Sequence, residues 1–283
     1  MLGRVFLAGI ILYNPNIDRL VENLTAICSQ TSQVYLFNNG SSNIAEIKTL
    51  ISNYQNVILF NNKDNAGIAY ALNMLIKRAK NDGYKWVVTL DQDSVAPPNL
   101  VAEYLKHINT PNLGMICCKI IDRNFGERKY DKSQAKGVED VELCITSASA
   151  IKIDAWEKVG GFCEKMFIDA VDFDICLSLK EHGYKILRVN DVKLLHEVGH
   201  SRIVYFLGKE ELVLNHNPLR CYYMIRNGIL LGKRHHQLLR QIGLAIKRMI
   251  LVNIYEDNRL NKNKMILKGF YHAIMGKYGK YGK

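Results

Sequence analysis

The first ninety residues alternate short apolar runs with longer amphipathic stretches. Runs rich in β-branched and aromatic residues predict four strands, at residues 5–12, 34–37, 57–60 and 86–90. Between them, residues 17–29, 44–52 and 66–80 predict helices. The third helix has apolar side chains spaced three and four apart on one face, namely Ile68, Ala71, Leu72, Leu75, Ile76 and Ala79. This alternation predicts βαβ units around a mainly parallel sheet.

Polar turns directly follow each of these four strands. They are Tyr13-Asn14-Pro15, Asn38-Asn39-Gly40-Ser41, residues 61–65 and Asp91-Gln92-Asp93-Ser94. In an open α/β sheet, ligands bind just beyond the carboxyl ends of the strands. The four turns therefore form the expected binding site.

The remainder of the chain departs from this regular alternation. Helices are predicted at residues 99–107, 154–159 and 171–182, and strands at 115–121, 142–145, 184–189 and 192–195. From about residue 217 onward the pattern is helical, with apolar positions mixed with Lys and Arg. We therefore expect an α/β catalytic domain over residues 1–215 and a basic helical extension over residues 216–283.

Two carboxylates stand at the end of the fourth predicted strand. Asp91 and Asp93 follow an apolar, β-branched run, so they project from the end of a buried strand. Mg²⁺ and Mn²⁺ take oxygen ligands, and Mg²⁺ typically binds one or two carboxylates together with the phosphates of a substrate. An isolated Asp-x-Asp is more often a solvated turn, but its position after a buried strand favours a divalent-cation site.

A second acidic cluster lies at the predicted start of the helix over residues 171–182. Asp169, Asp172 and Asp174 fall within about one turn, and the helix dipole by itself accounts for some of this acidity. The functional interpretation is that one carboxylate is a general base that takes a proton from an attacking hydroxyl. The sequence leaves open which of the three is the base.

Charge and cysteine content narrow the class of protein. The formal net charge is +11, and residues 233–283 carry twelve Lys or Arg against only Glu256 and Asp257. Residues 242–254 are interrupted by Lys247-Arg248 and do not form a membrane span, so we expect either peripheral contact with an anionic membrane or a solvated helical hairpin. The seven cysteines are scattered without a C-x-x-C pair, which favours reduced thiols. The first apolar run, residues 5–12, is too short for a signal peptide, so we expect a cytoplasmic location at the inner face of the membrane.

Two rival classes share part of this pattern. A basic tail is also found in nucleic-acid-binding proteins, but no recognisable nucleic-acid module accompanies it, so no nucleic-acid partner is expected. A dinucleotide oxidoreductase shares the α/β alternation, but G-x-G-x-x-G is absent after the first strand.

A series of short motifs along the first 230 residues resembles the family 2 glycosyltransferases of the GT-A fold, and among them bacterial rhamnosyltransferases of cell-surface polysaccharide synthesis. The motifs occur in the family's order, and they are Tyr13-Asn14-Pro15, Asn38-Asn39-Gly40-Ser41, Asn65-Ala66-Gly67-Ile68-Ala69, Leu90-Asp91-Gln92-Asp93-Ser94, Thr146-Ser147-Ala148-Ser149, Val159-Gly160-Gly161-Phe162, Asp169-Ala170-Val171-Asp172-Phe173-Asp174, His196-Glu197-Val198-Gly199-His200 and Arg220-Cys221-Tyr222-Tyr223-Met224-Ile225-Arg226-Asn227. The resemblance implies a Rossmann-like mixed sheet flanked by helices, with a C-terminal helical extension.

The resemblance also implies roles for individual residues. Tyr13, Asn39, Asn65, Gly67 and Asp91 would contact the nucleotide or lie close to it. Asp93 would be the principal ligand of Mg²⁺ or Mn²⁺, with Asp91 and His196 as further ligands. Asp172 would be the catalytic base with Asp174 as its neighbour, and Arg220 and Arg226 would face the diphosphate or an anionic acceptor.

The implied reaction is transfer of one sugar with inversion of its anomeric centre. Gln92 and the Arg-x-Tyr-Tyr-x-x-Arg-Asn run point by analogy to L-rhamnose from dTDP-L-rhamnose, carried to a saccharide or lipid-linked saccharide acceptor for O-antigen or capsule. A UDP-hexose or UDP-N-acetylhexosamine transferase is the alternative within the same family. The wider family has Glu-Asp where this chain has Val171-Asp172, so the choice of base among Asp169, Asp172 and Asp174 stays open.

Overall fold

A computed structural model describes residues 4–122, 136–196 and 202–282. The first half confirms the alternation that the sequence predicts. Its elements are β1 (Phe6–Leu12), α1 (Ile17–Cys28), β2 (Val34–Asn39), α2 (Ile44–Ile51), β3 (Val57–Asn62), α3 (Ile68–Asn81) and β4 (Trp86–Asp91).

The second half adds further strands, short helices and a group of long helices. These are α4 (Leu100–Leu105), β5 (Leu113–Asp122), β6 (Val138–Asp140), β7 (Ser149–Lys152), α5 (Ile153–Lys158), a 3-10 turn (Glu164–Met166), α6 (Val171–Glu181), β8 (Lys185–His196), β9 (Arg202–Phe206), β10 (Lys209–Val213), α7 (Pro218–Arg234), α8 (Leu238–Tyr255) and α9 (Arg259–Ile274).

The main sheet of the described chain has the strand order β3-β2-β1-β4-β7-β5-β8-β6. The strands β3, β2, β1 and β4 are mutually parallel. β7 is antiparallel to both β4 and β5, and β8 is parallel to β5, so β4, β5 and β8 run in the same direction. The carboxyl ends of six strands, β1 to β5 and β8, therefore point to one edge of the sheet.

Several details differ from the sequence-based expectation. Residues 142–145 do not form a strand, because β7 fills the place between β4 and β5 and β6 already pairs with the free side of β8. The two strands expected over 184–195 are one strand. Cys118 lies opposite Val189 and Lys119 opposite Lys193, so residues 190–192 are accommodated in a bulge. The sequence pattern does not predict β6, β7 or the β9–β10 hairpin.

The core consists of two apolar layers, one on each face of the sheet. All seven residues of β1 are buried, with Leu7 and Ile11 facing the layer that contains α3, and Ile10 and Leu12 facing the layer that contains α1. Gly9 lets α3 pack closely here, because a Cβ would lie 2.5 Å from a methyl carbon of Leu75 and would force that side chain to shift. Each fully buried aliphatic side chain contributes roughly 1.5–3 kcal/mol, so this double layer holds the strand ends rigidly.

The helices α7, α8 and α9 form a third apolar cluster. At the junction of α8 and α9 the fully buried carboxylate of Glu256 is paired with Arg248 at 2.9 Å and Lys262 at 2.8 Å. Across the described residues, none of the helices is both long and apolar enough to cross a bilayer.

Candidate functional site

Hydrogen bonds join the turns after β2 and β3 into one unit. Asn39, the last residue of β2, is 3% exposed, and its Nδ2 donates to Oδ1 of Asn65 and to the carbonyl of Gly67, both at 3.2 Å. Its Oδ1 accepts from the backbone N–H of Ala66 at 3.0 Å. The structure therefore brings together three residues that the sequence assigns to nucleotide binding: Asn39, Asn65 and Gly67.

Tyr13 lies beside the turn that follows β4. Its backbone N–H donates to Oε1 of Gln92 at 2.9 Å, and the residue remains 49% exposed. The next N–H, of Asn14, donates to Oγ of Ser41 at 2.9 Å. The backbone of Tyr13 and Asn14 is thus hydrogen-bonded to the turns after β4 and β2. A large part of the Tyr13 side chain remains exposed and can contact a ligand.

The two aspartates after β4 occupy the same edge. Asp91 is partly buried, and its carbonyl accepts a 2.7 Å hydrogen bond from Nδ2 of the buried Asn23, whereas Asp93 is exposed. No group of three or more His, Cys, Asp or Glu that would hold a metal ion is found within residues 4–122, 136–196 and 202–282. His196 ends β8 at the same edge of the sheet, but its side chain lies outside the described part.

Asp91 and Asp93 can therefore supply two carboxylate ligands to a divalent ion, but the described residues do not provide a full set of protein ligands. This donor set fits Mg²⁺, because Mg²⁺ is usually held by one or two carboxylates, water and substrate phosphates. The exposed position of Asp93 leaves its oxygens accessible to such an ion.

Asp172 lies in the first turn of α6, close to the end of β4. Oγ1 of Thr146 donates to its Oδ1 at 3.2 Å. Burial, followed by the negative charge of Asp91, raises the pKa of Asp172 to about 7, and Asp169 adds to this while the Thr146 hydrogen bonds oppose it. A carboxylate with this pKa is suited to act as a general base near neutral pH.

The backbone just before α6 is strained. Phe167, Asp169 and Ala170 have φ values of 45°, 66° and 63°, a region that non-glycine residues rarely adopt. The fully buried Asn227 of α7 holds this turn, because its Nδ2 donates to the carbonyls of Met166 at 2.7 Å and Ile168 at 2.5 Å. Such strain is typical of functional sites and persists only where the surroundings enforce it.

Arg220 at the start of α7 is paired with Asp169. Its Nε and Nη2 lie 2.9 Å and 2.8 Å from Oδ1 of Asp169, and burial raises the pKa of Asp169 against the opposing charge of Arg220. The other oxygen of Asp169 is buried and has no hydrogen-bond partner within the described structure. Arg220 therefore lies beside the acidic cluster at the start of α6.

Asp174 has a different environment from Asp172. It is 0% exposed, and its Oδ1 is 2.6 Å from Nε of Arg234 and 3.0 Å from Nε2 of His235. Nδ1 of His235 in turn lies 2.8 Å from Glu181. Direct contact of Asp174 with a substrate would require these partners to be displaced, whereas the cluster already clamps α6 to the end of α7.

Arg226, expected near the diphosphate, is 1% exposed. Its guanidinium lies over the rings of Tyr222 and Tyr223 at 5.2 Å and 4.9 Å, and its Nη1 donates to the carbonyl of Gly279 at 2.6 Å. A diphosphate would reach this guanidinium only if the segment around Gly279 moved. The structure thus does not bring Arg226 to the open edge that carries Tyr13, Asn39 and Asp91.

Several residues with contacts at the site received no role from sequence reasoning. Thr146 contacts Asp172, and Oγ of Ser147 accepts from the backbone N–H of Asp91 at 3.4 Å. The Thr146-Ser147-Ala148-Ser149 motif was a signal for them. No comparable signal marked Arg234 and His235, because their partner Asp174 lies sixty residues earlier in the chain.

Comparison with known proteins identifies the family of this chain. The family described as Glycosyl transferase family 2 matches residues 8–168. The chain is 25% identical over 286 residues to a Shigella flexneri protein named dTDP-rhamnosyl transferase RfbF, and the match covers 95% of both chains. It is 30% identical over 209 residues to the poly-beta-1,6-N-acetyl-D-glucosamine synthase of Staphylococcus aureus, covering 65% of this chain and 47% of that protein.

Solved structures agree on the fold. The S. aureus TarS 1–349 structure in complex with UDP-GlcNAc aligns with a TM-score of 0.62 at 13% identity, covering 95% of this chain and 81% of that chain. GalNAc-T7 with UDP, GalNAc and Mn²⁺ aligns with a TM-score of 0.60 at 13% identity, covering 81% and 47%. With the family match over more than half of the chain, a GT-A sheet and the polar turns at its strand ends, this protein belongs to glycosyl transferase family 2.

Proposed function

We propose that this protein is an inverting, metal-dependent rhamnosyltransferase that uses dTDP-L-rhamnose. The observation that carries the transfer chemistry is Asp172, a partly buried carboxylate with a pKa of about 7 beside Asp91 at the strand-end edge. The choice of rhamnose is supported by similarity to the dTDP-rhamnosyl transferase RfbF along nearly the whole chain.

In the proposed reaction, Asp172 accepts the proton of an acceptor hydroxyl as that oxygen attacks the anomeric carbon of the donor. The oxygen–carbon bond forms while the bond from the anomeric carbon to the phosphate oxygen breaks, so one displacement inverts the configuration. Thr146 fixes the orientation of the carboxylate through its 3.2 Å hydrogen bond. Asn227 keeps the preceding turn in place, which holds Asp172 near the reacting atoms.

The donor nucleotide is proposed to occupy the edge formed by Tyr13, Asn39, Asn65 and Gly67. At Gly67, φ is +94° and a Cβ would lie 2.6 Å from the carbonyl of Phe167, so only glycine fits there. Asp93 and Asp91 would hold Mg²⁺ or Mn²⁺, with His196 as a further candidate. A bound divalent ion would neutralise the charge that develops on the leaving diphosphate.

We expect calorimetry to show tighter binding of dTDP-rhamnose than of UDP-glucose or UDP-N-acetylglucosamine, and only when Mg²⁺ or Mn²⁺ is present. Asp93→Ala should remove the metal-dependent part of this binding, whereas Asp154→Ala, which changes an exposed aspartate of α5, should not. Tighter binding of a UDP-sugar would mean that the donor is a UDP-sugar, while the protein would still be a glycosyltransferase. Absence of binding to all three would contradict the proposed donor.

The acceptor is proposed to be a saccharide or lipid-linked saccharide presented at a membrane surface. On α9, the strongly exposed Leu260, Leu267, Tyr271 and Ile274 are spaced three or four apart with Lys264 among them, so they form one face. Such a mixture of apolar and cationic side chains binds the interface of an anionic bilayer. This face would bring the site to the inner side of the cell membrane.

We expect the protein to float with vesicles that contain anionic lipid, and to be released by salt. Replacing both Leu267 and Ile274 by Glu should abolish flotation, because it removes apolar contact and adds negative charge. Ile58→Glu, at an apolar residue of β3 that is 41% exposed, serves as the control and should float as before. Equal flotation of the double variant would exclude this face as the membrane contact.

A further inference from the structure

The segment after α9 returns to the catalytic domain. We call residues 277–282, with the sequence Lys-Tyr-Gly-Lys-Tyr-Gly, the KYG segment. The backbone N–H of Gly279 donates to the carbonyl of Lys165 at 2.8 Å, and the carbonyl of Gly279 accepts from Arg226 at 2.6 Å. The N–H of Tyr281 donates to the hydroxyl of Tyr223 at 2.8 Å. The segment is therefore held in one place by specific backbone hydrogen bonds.

Aromatic side chains reinforce this attachment. The ring of Tyr281 packs edge-on against Tyr222 with centroids 4.8 Å apart, and Nζ of Lys268 lies 4.9 Å above the same ring. The buried guanidinium of Arg226 lies 6.0 Å from the ring of Tyr278. Because cations over aromatic rings and buried charged hydrogen bonds are among the stronger contacts, the KYG segment is a fixed part of the folded protein.

The same contacts continue to the nucleotide edge. Phe167 stacks on Tyr223 with centroids 5.4 Å apart, and its carbonyl accepts from the N–H of Ile68 at 2.7 Å, directly after Gly67. Nζ of Lys280, in the KYG segment, lies 3.5 Å from the carbonyl of Asn65, two residues before Gly67. The KYG segment thus places a cation beside the turn that is bonded to Asn39.

Lys280 is exposed, and its hydrogen-bond partner is a neutral carbonyl at the outer limit of hydrogen-bond distance. Across the described ranges, no carboxylate is paired with Lys280. An ammonium that is held near a nucleotide site without a counter-charge attracts phosphate oxygens, because a contact with phosphate is stronger than one with a carbonyl.

We propose that Lys280 binds the diphosphate of the donor and that the KYG segment is one wall of the donor site. This inference rests on the proposed function, because it takes the edge at Asn39 and Asn65 to be the nucleotide site. It assigns to the helical extension a direct contact with the donor, and it gives the buried Arg226 a positioning role through Gly279 instead of a phosphate contact.

Binding of dTDP and UDP in the presence of Mg²⁺ or Mn²⁺, measured by calorimetry beside thymidine and uridine, tests this inference. For whichever diphosphate the unchanged protein binds more tightly, Lys280→Ala should weaken binding about fivefold, as expected for loss of one exposed charge–phosphate contact. The loss should diminish at high salt, and the affinity for the nucleoside should stay the same. Lys277→Ala, in the same segment, and Lys158→Ala, at an exposed lysine of α5, are matched controls that should bind as the unchanged protein does.

A second measurement does not depend on a substitution. Backbone amides of residues 278–281 should exchange with solvent more slowly when the diphosphate is bound than when only the nucleoside is bound. Equal affinity of Lys280→Ala, or an equal loss in Lys277→Ala, overturns the inference while leaving the proposed function intact. If the unchanged protein binds neither diphosphate, it is the proposed function itself that fails.

Discussion

Asp172→Asn is expected to reduce the rate of sugar transfer by about 10²–10⁴-fold, the usual contribution of a general base. Asparagine keeps the shape of the side chain and can still contact Thr146, but it cannot accept the proton of the acceptor hydroxyl. Donor affinity should be unchanged or slightly tighter, because one negative charge near Asp91 is removed. A transfer assay combined with calorimetry of the donor separates these two effects.

The matched control is Asp154→Asn, which makes the same chemical change at an exposed position of α5. It should transfer sugar at the rate of the unchanged protein. If Asp172→Asn retained full activity, Asp172 would not be the base, and Asp169 would be the next candidate.

The pH dependence provides a second test of the same assignment. Burial and the charge of Asp91 raise the pKa of Asp172 to about 7, and a base works only when it is deprotonated. We therefore expect kcat/KM to fall about tenfold for each pH unit below 7 and to level off above it, since this ratio reports the free enzyme. A flat profile between pH 5.5 and 8 would contradict this.

The same raised pKa has a consequence for stability. The folded protein holds the proton of Asp172 more tightly than the unfolded chain, so this group favours folding at low pH and the benefit is lost as pH rises through about 7. At pH 8, Asp172→Asn should therefore raise the midpoint of urea unfolding relative to the unchanged protein. At pH 5 the difference should be smaller.

Asp174→Ala is expected to lower the free energy of unfolding by about 3–5 kcal/mol, as is typical when one partner of a buried ion pair is removed. Asp174 is fully buried, and its loss would leave Arg234 and His235 without their shared carboxylate. Urea unfolding followed by circular dichroism measures this change. The control is Glu181→Ala, which removes the more exposed carboxylate that pairs with His235 and should cost less than about 1 kcal/mol.

The conservative variant Asp174→Asn separates a positioning role from a catalytic one. If Asp174 acts only by clamping α6 to α7, loss of activity should follow loss of stability, and low temperature or a stabilising osmolyte should restore transfer. A fully folded Asp174→Asn protein without activity would instead show that Asp174 takes part in the chemistry.

The sequence by itself determined the strand–helix alternation of the first ninety residues, and it predicted a site at the strand ends. This was possible because periodicity reports burial locally, and because parallel strands collect their carboxyl ends at one edge. It also singled out Asp91, Asp93 and Asp172. It did not determine the strand order beyond β4. The later strand β7 inserts between β4 and β5 and runs antiparallel to both, and such pairing depends on contacts distant in sequence.

Only the tertiary structure decided the environments of residues that look alike in sequence. Asp172 and Asp174 are two residues apart, yet Asp172 lies at the candidate site with its pKa raised by burial, while Asp174 is enclosed by Arg234 and His235. Arg226 and Lys280 are both basic residues outside the parallel sheet, yet Arg226 is buried among tyrosines and Lys280 reaches the turn at Asn65. Burial and electrostatic partners come from packing between distant segments, and for that reason no local pattern in the chain could reveal them.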